Sequence, residues 1–447
     1  MKTANVLFIF GDQWRKQALG YEGDPNVKTP HLDAFAKESV NMVNAISGTP
    51  VCTPYRASLL TGQRPLTHGL FLNDAQLSPK RTSIADAFSD QGYDTAYVGK
   101  WHVDGYGRSA HIPKERRQGF DYWKVLECTH NYNASPYYEQ DETEKSVWEG
   151  YDAYAQTQDV QNYIRNHESD VPFLAMLSWG PPHNPYETAP QKYQDMYRPE
   201  NIELRANVPE EKKDVARKEL AGYYAHCSAL DDCFGMLMAT LKKEGLDDDT
   251  IVVFSSDHGD MLHSQGERRK QRPWAESARI PFLIRLPSFL GGSAGEAEGF
   301  IDAPDIMPTL LDLCGLNIPE GVEGRSFADH LRGGDDPSGG RGIIALYQPF
   351  GEYTRDDGGR EYRALLTSDY TYCKSLDGPW LLYHDSKDPF QLNNVQGKKE
   401  YHDVETRLDR ELQKELNQFN DDFEPGDVYV KRWNYQVNKS GTLDYTG

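Results

Sequence analysis

Positive charge is in short supply in this chain: 48 Lys and Arg stand against 69 Asp and Glu, a formal net charge of −21. That deficit argues against a nucleic acid or an anionic membrane as partner, since both are bound through basic surfaces. It leaves an anionic substrate open, because screening cuts exposed charges off beyond about 8–10 Å and a local cluster of cations inside a cleft still prevails. Long apolar runs are also missing, and none approaches the roughly 18 residues a membrane helix needs. Cysteine is sparse. Cys52, Cys128, Cys227, Cys233, Cys314 and Cys373 fall in no metal-type spacing. Cys227 and Cys233 lie in one helical stretch, a poor arrangement for a disulfide, so the redox compartment stays open. Internal repeats and low-complexity tracts are absent. The chain opens Met1-Lys2-Thr3-Ala4-Asn5 and enters a strand at once. This fits a cytoplasmic protein, or one whose leader was removed before this numbering begins.

What is present suits a large core: 447 residues, 38% hydrophobic and 12% aromatic. Apolar runs at 5–10, 94–98, 172–177, 250–254 and 280–284 read as strands buried on both faces. Between them, helical patterns cover 30–36, 52–62, 82–88, 160–164, 218–244 and 305–313. Strands alternating with helices imply an α/β fold with a large, mostly parallel sheet sandwiched by helices. Residues 104–150, polar and rich in Tyr without a period, read as an insertion over one face and a place for substrate selectivity. The Gly-rich stretch 333–342 is the best linker. It divides a catalytic domain, 1–340, from a smaller C-terminal α+β subdomain, 341–447, with short strands to 394 and a charged helix near 400–418.

Ionisable residues gather just past the C-terminal ends of these strands: Asp12 with Gln13, Lys100 and His102, His183, and Asp257 with His258. Ligands of open α/β sheets bind at that edge. Two carboxylates and an amide oxygen suit a hard divalent ion such as Ca²⁺ or Mg²⁺, and His258 softens the set enough to admit Mn²⁺. Arg56, Lys100, His102, His183 and Lys270 are donors for a sulfate or phosphate. Lys270 also reads as part of a solvated basic run, Arg268-Arg269-Lys270, and each Asp also reads as a helix cap. Cys52 opens a helix in which Pro54 suits the first turn and Gly62 the stop. A thiol there meets free N–H groups and the positive end of the dipole, with Arg56 four residues on over the same face. Trp14, Trp101, Trp148, Trp179 and Trp274 lie near the same edge, where aromatic faces either meet sugar rings or pack. Trp148, with Asp104 and Arg272, completes the candidate substrate-binding set.

Cys52-x-Pro54-x-Arg56 followed by Leu60-Thr61-Gly62 resembles the signature of the formylglycine-dependent sulfatases of the alkaline-phosphatase superfamily. The stretches 5–13, 52–62, 99–102, 182–183, 251–260, 270–281 and 305–315 follow that family's order, and 383–394 looks like its C-terminal turn and helix start. The resemblance implies an alkaline-phosphatase-like fold and a metal site, Ca²⁺ first, built from Asp12, Gln13, Asp257, His258 and the modified Cys52. It further implies that Arg56 steadies the formylglycine, Lys100 and Lys270 bind the sulfate, His102 is the base that regenerates the aldehyde, and His183 protonates the leaving oxygen. A formylglycine-generating enzyme is the implied maturation partner. An aldehyde hydrate offers two hydroxyls, one to attack sulfur and one whose deprotonation expels sulfate by C–O cleavage, an exit closed to a serine ester. Gln13 stands where many members carry Asp, and His258 where many carry Asn, which lowers the charge of the site. The segment Trp179–Tyr186 together with Asp12-Gln13 looks like bacterial glycan sulfatases, some acting on 4-sulfated galactose or N-acetylgalactosamine. Two other readings stay open: a phosphonate monoester or phosphodiester hydrolase of the same fold, and a non-catalytic sulfated-glycan-binding protein.

Overall fold

The protein is seen in a computed structural model that describes residues 3–168 and 170–443. Its main strands are β1 (Asn5–Asp12), β2 (Val40–Met42), β3 (Asp94–Lys100), β4 (Tyr122–Leu126) and β5 (Ala134–Glu139). They continue with β6 (Ser146–Glu149), β7 (Phe173–Pro182), β8 (Thr250–Ser256), β9 (Phe282–Arg285) and β10 (Gly295–Ala297). All ten join one sheet in the order β10-β2-β9-β8-β1-β7-β3-β4-β5-β6.

At the centre, β1 runs parallel to both β7 and β8, and β3 runs parallel to β7. Every residue of β1, β7 and β8 is buried, the mark of strands covered on both faces. Strand alternation sorts β1 into two cores. Val6, Phe8 and Phe10 pack with Leu59, Leu60, Ile84, Phe88 and Leu310 of the helices Cys52–Thr61, Ile84–Ser89 and Ala303–Leu313. Leu7 and Ile9 pack with Val160, Ile164, Phe234 and Leu237 of the helices Asp152–Asn166 and Lys213–Lys243. This is the α/β sandwich expected from the alternation of elements.

Two expectations change. The apolar run at 280–284 forms β9, but β9 lies antiparallel to both β8 and β2. Burial on both faces selects an apolar composition without fixing strand direction. The stretch 104–150 is more than a covering insertion: β4 extends the sheet parallel to β3, and β5 and β6 add an antiparallel edge.

A second sheet of β11 (Gly342–Leu346), β12 (Tyr362–Leu366), β13 (Tyr370–Ser375) and β14 (Gly378–His384) is wholly antiparallel. Leu408, Leu412 and Leu416 form a stripe along helix His402–Gln418 that closes one face against Leu365, Tyr372 and Leu382. The other face packs on Ile46, Val51, Phe71 and Leu72, which flank the Cys52 helix. All six cysteines are free thiols. Among the described residues no helix is long and apolar enough to cross a membrane.

Candidate active site

The sheet register builds the site. β1 and β8 pair up to Gly11 and Ser256, so the next residues, Asp12 and Asp257, emerge side by side at the C-terminal edge. Gln13 follows in a left-handed conformation (φ 69°), with its backbone N–H on Asp257 Oδ1 at 3.0 Å. Ser47 Oγ donates to the Asp257 carbonyl at 2.7 Å and ties the loop before the Cys52 helix to the same point. That helix stops at Gly62 (φ 64°), whose N–H bonds Ser58 O at 2.9 Å. Cys52 thus occupies the first turn, facing the strand ends.

Asp12, Cys52, Asp257 and His258 are fully buried, and their potential ligand atoms lie within 4.8 Å of one another. Cys52 Sγ sits 3.1 Å from His258 Nε2 and 3.7 Å from Asp12 Oδ1. His258 Nδ1 faces the Gly259 carbonyl at 2.9 Å, a contact that places the proton on Nδ1 and leaves Nε2 as the coordinating atom. Gln13 donates from Nε2 to Asp260 Oδ2 at 2.6 Å, while its Oε1 is buried with no hydrogen-bond partner. An unmatched buried carbonyl costs on the order of 1–3 kcal/mol. Two carboxylates, a free amide oxygen and an imidazole nitrogen are a donor set that fits a divalent cation.

Cations close the other side. Lys270 Nζ lies 2.9 Å and Lys100 Nζ 4.0 Å from Cys52 Sγ, and Lys100 Nζ also reaches Asp12 Oδ2 at 2.5 Å. Arg56, fully buried, sends Nη2 to Asp12 Oδ2 and Asp257 Oδ2 at 3.1 Å each, and Nη1 to Ser178 Oγ at 2.7 Å and the Lys100 carbonyl at 2.9 Å. Burial raises the Asp12 carboxyl, but Lys100 first, then His183, Lys270 and Arg56, hold it well below the usual carboxylate range. Burial and the Asp12 charge push Asp257 up instead. A positive charge between the two carboxylates relieves that conflict. Arg56→Met strips both of their shared partner, and we expect it to cost about 3–5 kcal/mol of stability, read by urea unfolding. Arg56→Lys restores charge without the fork and is expected to recover only part of that loss.

The remaining candidates are held by partners remote in sequence. His102 (φ 61°) has Nε2 3.0 Å from Asp74 Oδ1, and Arg108 Nη2 clasps the same carboxylate at 3.1 Å. Burial pulls His102 down, but the neighbouring Cys128 and the Asp74 bond overcome it and raise it to about 10. The His183 ring stacks on His130 at 4.6 Å and 4°, with Nδ1 2.9 Å from the Asn184 carbonyl. Burial, then the Lys270 charge, hold His183 well below its ordinary value. Lys270 stands between two residues in left-handed conformations, Arg269 (φ 61°) and Gln271 (φ 72°). Such strain persists only where surroundings impose it. Gln271 clamps Phe350 both ways, Nε2 on the carbonyl at 3.0 Å and Oε1 on the N–H at 3.3 Å, and Arg272 Nη1 bonds the Lys270 carbonyl at 2.7 Å. The segment is therefore a fixed arm and not a solvated basic run.

Four residues beyond the sequence-derived set matter to the geometry: Asp74, Ser178, Tyr186 and Asp260. Tyr186 donates to Asp260 Oδ2 and accepts from Arg269 Nη1 at 2.5 Å. A continuous chain thus runs from the Gln13 amide to the residue beside Lys270.

Other sequence candidates turn out to be packed or paired. Trp14, Trp101 and Trp179 are fully buried in the two cores, and Trp148 stacks on Tyr137 at 4.2 Å with its Nε1 on Asp159 at 2.8 Å. Packing, not a sugar-facing edge, accounts for these four. Trp274 is half-buried against Trp380 at 5.9 Å. Asp104 is held by Arg116, at 2.7 Å and 3.1 Å, and Arg272 lies over Tyr353 at 3.8 Å. A second acidic group, His31, Asp231 and Asp232, has a structural explanation: Asp231 accepts the His31 and Leu32 N–H groups at 3.1 Å and 2.8 Å and so starts helix Pro30–Ala36.

Trp148 shares a small cavity behind Lys100 with Asp152 and Gln156. Burial pushes the Asp152 carboxyl up to about 8, and its Oδ1 has no partner. Between the unfolded value of 3.8 and that raised value, the unfolded chain is ionised while the folded one keeps its proton. Stability therefore falls as pH rises across this window. Asp152→Asn removes the titration. Its stability relative to wild type is expected to improve by a few kcal/mol between about pH 4 and pH 8, read from denaturation midpoints.

Residues 4–316 match the family profile described as sulfatase, and residues 267–418 match that of the N-sulphoglucosamine sulphohydrolase C-terminal region. The chain is 46% identical over 440 residues to an ulvan-active sulfatase of Formosa agariphila, covering 98% of this chain and 85% of that protein. It is 32% identical over 477 residues to an endo-4-O-sulfatase of Bacteroides thetaiotaomicron, covering 93% and 92%. A solved structure from the same Bacteroides species, described in connection with the metabolism of multiple glycosaminoglycans, superposes with a TM-score of 0.84 at 30% identity, covering 97% and 99% of the two chains.

Proposed function

We propose, on the premise that this chain belongs to the sulfatase family, a division of labour for a sulfuric ester hydrolase that removes sulfate from a sulfated carbohydrate. One observation carries the reading: Cys52 Sγ lies 3.1 Å from His258 Nε2 on its metal-type side and 2.9 Å from Lys270 Nζ on its cationic side. That position supports the reading of residue 52 as a nucleophile between a metal's donors and an anion's donors.

Asp12, Gln13, Asp257 and His258 would hold the cation. Three of the four donors are hard oxygens, which favours Ca²⁺, with Mg²⁺ or Mn²⁺ as alternatives. When present, the cation and a formylglycine at position 52 supply a Lewis acid and a hydrated aldehyde as nucleophile. Arg56 keeps the Asp12 and Asp257 carboxylates aligned from behind. Lys100 and Lys270 bind sulfate oxygens and stabilise the charge that builds on them. His102, held through Nε2 by Asp74 with Nδ1 unpartnered, is the proposed base; raised to about 10, it gives up its own Nδ1 proton before it can take one. His183, its Nδ1–H on the Asn184 carbonyl, protonates the leaving oxygen from Nε2 in its imidazolium form, which the negative charge of a bound sulfate ester favours against burial and Lys270. Maturation of Cys52 falls to a formylglycine-generating enzyme. The sugars act on a finer scale: 4-sulfated galactose or N-acetylgalactosamine is the proposed unit, supported by the name of the endo-4-O relative.

The test is a screen of defined sulfated monosaccharides and oligosaccharides for sulfate release, beside an aryl phosphonate ester. Sulfate release from a carbohydrate, fastest on the 4-sulfated members, is the expected result. Faster phosphonate cleavage, or binding of sulfated sugars without release after confirmed Cys52 conversion, contradicts it. Lys270→Ala is expected to lower kcat/KM about 10²–10³-fold on the best sugar.

A further inference from the structure

A cavity of about 600 Å³ lies outside the catalytic site, and Cys52, Lys100, His183 and Lys270 take no part in its lining. Its wall carries four cations, Arg15, Lys16, Arg205 and Arg279, with Tyr224 and Phe390 as aromatic faces. Two of the cations are matched: Lys16 by Glu22 at 3.2 Å and Arg205 by Glu276 at 2.9 Å. The other two are not. Arg15 is 1% exposed, and its Nε and Nη2 make no hydrogen bond. Arg279 gives Nη1 to the neutral Asn44 Oδ1 at 2.9 Å. Among the described residues neither guanidinium has a carboxylate within 4.0 Å.

Three carboxylates, Glu22, Asp24 and Glu203, share the cavity wall with these cations, and Glu276 keeps a buried Oε2 with no hydrogen-bond partner. Asp24 Oδ2 accepts the Tyr224 hydroxyl at 2.7 Å, and its Oδ1 accepts the N–H groups of Asn26 and Val27 at 2.8 Å and 3.0 Å. Glu276 Oε1 takes Arg205 and Asn207, at 2.9 Å and 2.7 Å. Carboxylates share the cavity wall, yet among the described residues neither Arg15 nor Arg279 is in direct contact with one. Burying an unpaired charge is strongly unfavourable, and a bound anion removes that penalty. The volume lies within the roughly 300–1,000 Å³ range of small-ligand sites and takes a sugar ring along with its charged group.

We propose that this cavity binds an anionic sugar unit through a carboxylate or sulfate ester held by Arg15 and Arg279. That unit is separate from the one whose sulfate is cleaved, and the proposal rests on the glycan reading above.

Titration calorimetry on the whole protein tests this with two probes, methyl glucuronide and inorganic sulfate. Methyl glucuronide carries a carboxylate and no ester the enzyme cleaves. It is expected to bind wild type, and about tenfold or more weakly to both Arg279→Met and Ala206→Trp. Ala206 lines the cavity on an exposed loop, so the Trp fills the space, and keeps the test open should Arg279→Met fail to fold. Hydrolysis of a small aryl sulfate by both variants should stay within about twofold of wild type. Binding of sulfate alone overturns the sugar-unit proposal in favour of a free-anion site. Absence of glucuronide binding to folded wild type, or equal affinity in the variants, overturns it as well. Loss of aryl sulfate hydrolysis in wild type itself counts against the sulfatase assignment and leaves the cavity result to stand separately.

Discussion

Cys52→Ala is expected to abolish sulfate release, lowering kcat by at least about 10³–10⁴-fold while leaving the fold intact. The thiol sits between Lys270 and His258, with Asp12 behind it, so the substitution removes the one group that faces both the sulfate donors and the metal donors. Cys52→Ser should be little better. A serine there has one hydroxyl and no second one to expel the sulfate, so turnover stalls after a single event. Sulfate release by ion chromatography, with thermal unfolding as the control for folding, separates these outcomes. Full turnover by either variant would remove residue 52 from the chemistry.

Asp260→Asn is expected to weaken divalent cation binding about 10–100-fold, the usual effect of losing a partner that orients a ligand. Asp260 Oδ2 accepts the Gln13 side-chain N–H at 2.6 Å, and that bond alone decides which end of the Gln13 amide is left unpartnered. An acceptor-only carboxylate fixes the amide with Oε1 free; an Asn in its place offers both a donor and an acceptor, so the amide turns over. Tyr186→Phe removes one donor to Asp260 and should give the same change in smaller measure. Titration with Ca²⁺, and the stabilisation that saturating cation confers on thermal unfolding, are two readouts independent of turnover. Unchanged affinity in Asp260→Asn would reduce the residue to a structural role, bonding the Leu262 N–H at 3.0 Å.

How far the sequence carries these arguments depends on the range of the interactions involved. Unbroken apolar runs announce β1 and β8, because strands covered on both faces have no polar side to display. Pro54 and Gly62 bracket the Cys52 helix for equally local reasons. The convergence of Asp12, Lys100, Asp257 and His258 follows once the strands lie parallel, since each stands at or just past a strand end, and Cys52 joins them from the start of its helix. Direction in β9 is different: its composition is the same either way, and only pairing with β2 and β8 reveals it. Asp74, Tyr186 and Asp260 act through contacts that reach across 28, 83 and 247 positions, for which no spacing rule exists. Nor does composition show the left-handed conformations at Gln13, His102, Arg269 and Gln271, where surrounding bonds override residue preference. The tryptophans illustrate the converse. Position near the strand edge gave no indication of which way their rings turn, and four of the five turn inward.

The convergence of one donor set on residue 52 is tested most directly by an anomalous difference map from crystals of the matured protein soaked in Mn²⁺. A single strong peak in contact with Asp12, Gln13 Oε1, Asp257, His258 Nε2 and residue 52 is the predicted result. A peak elsewhere, with Gln13 Oε1 and His258 Nε2 left without a metal contact, would contradict it.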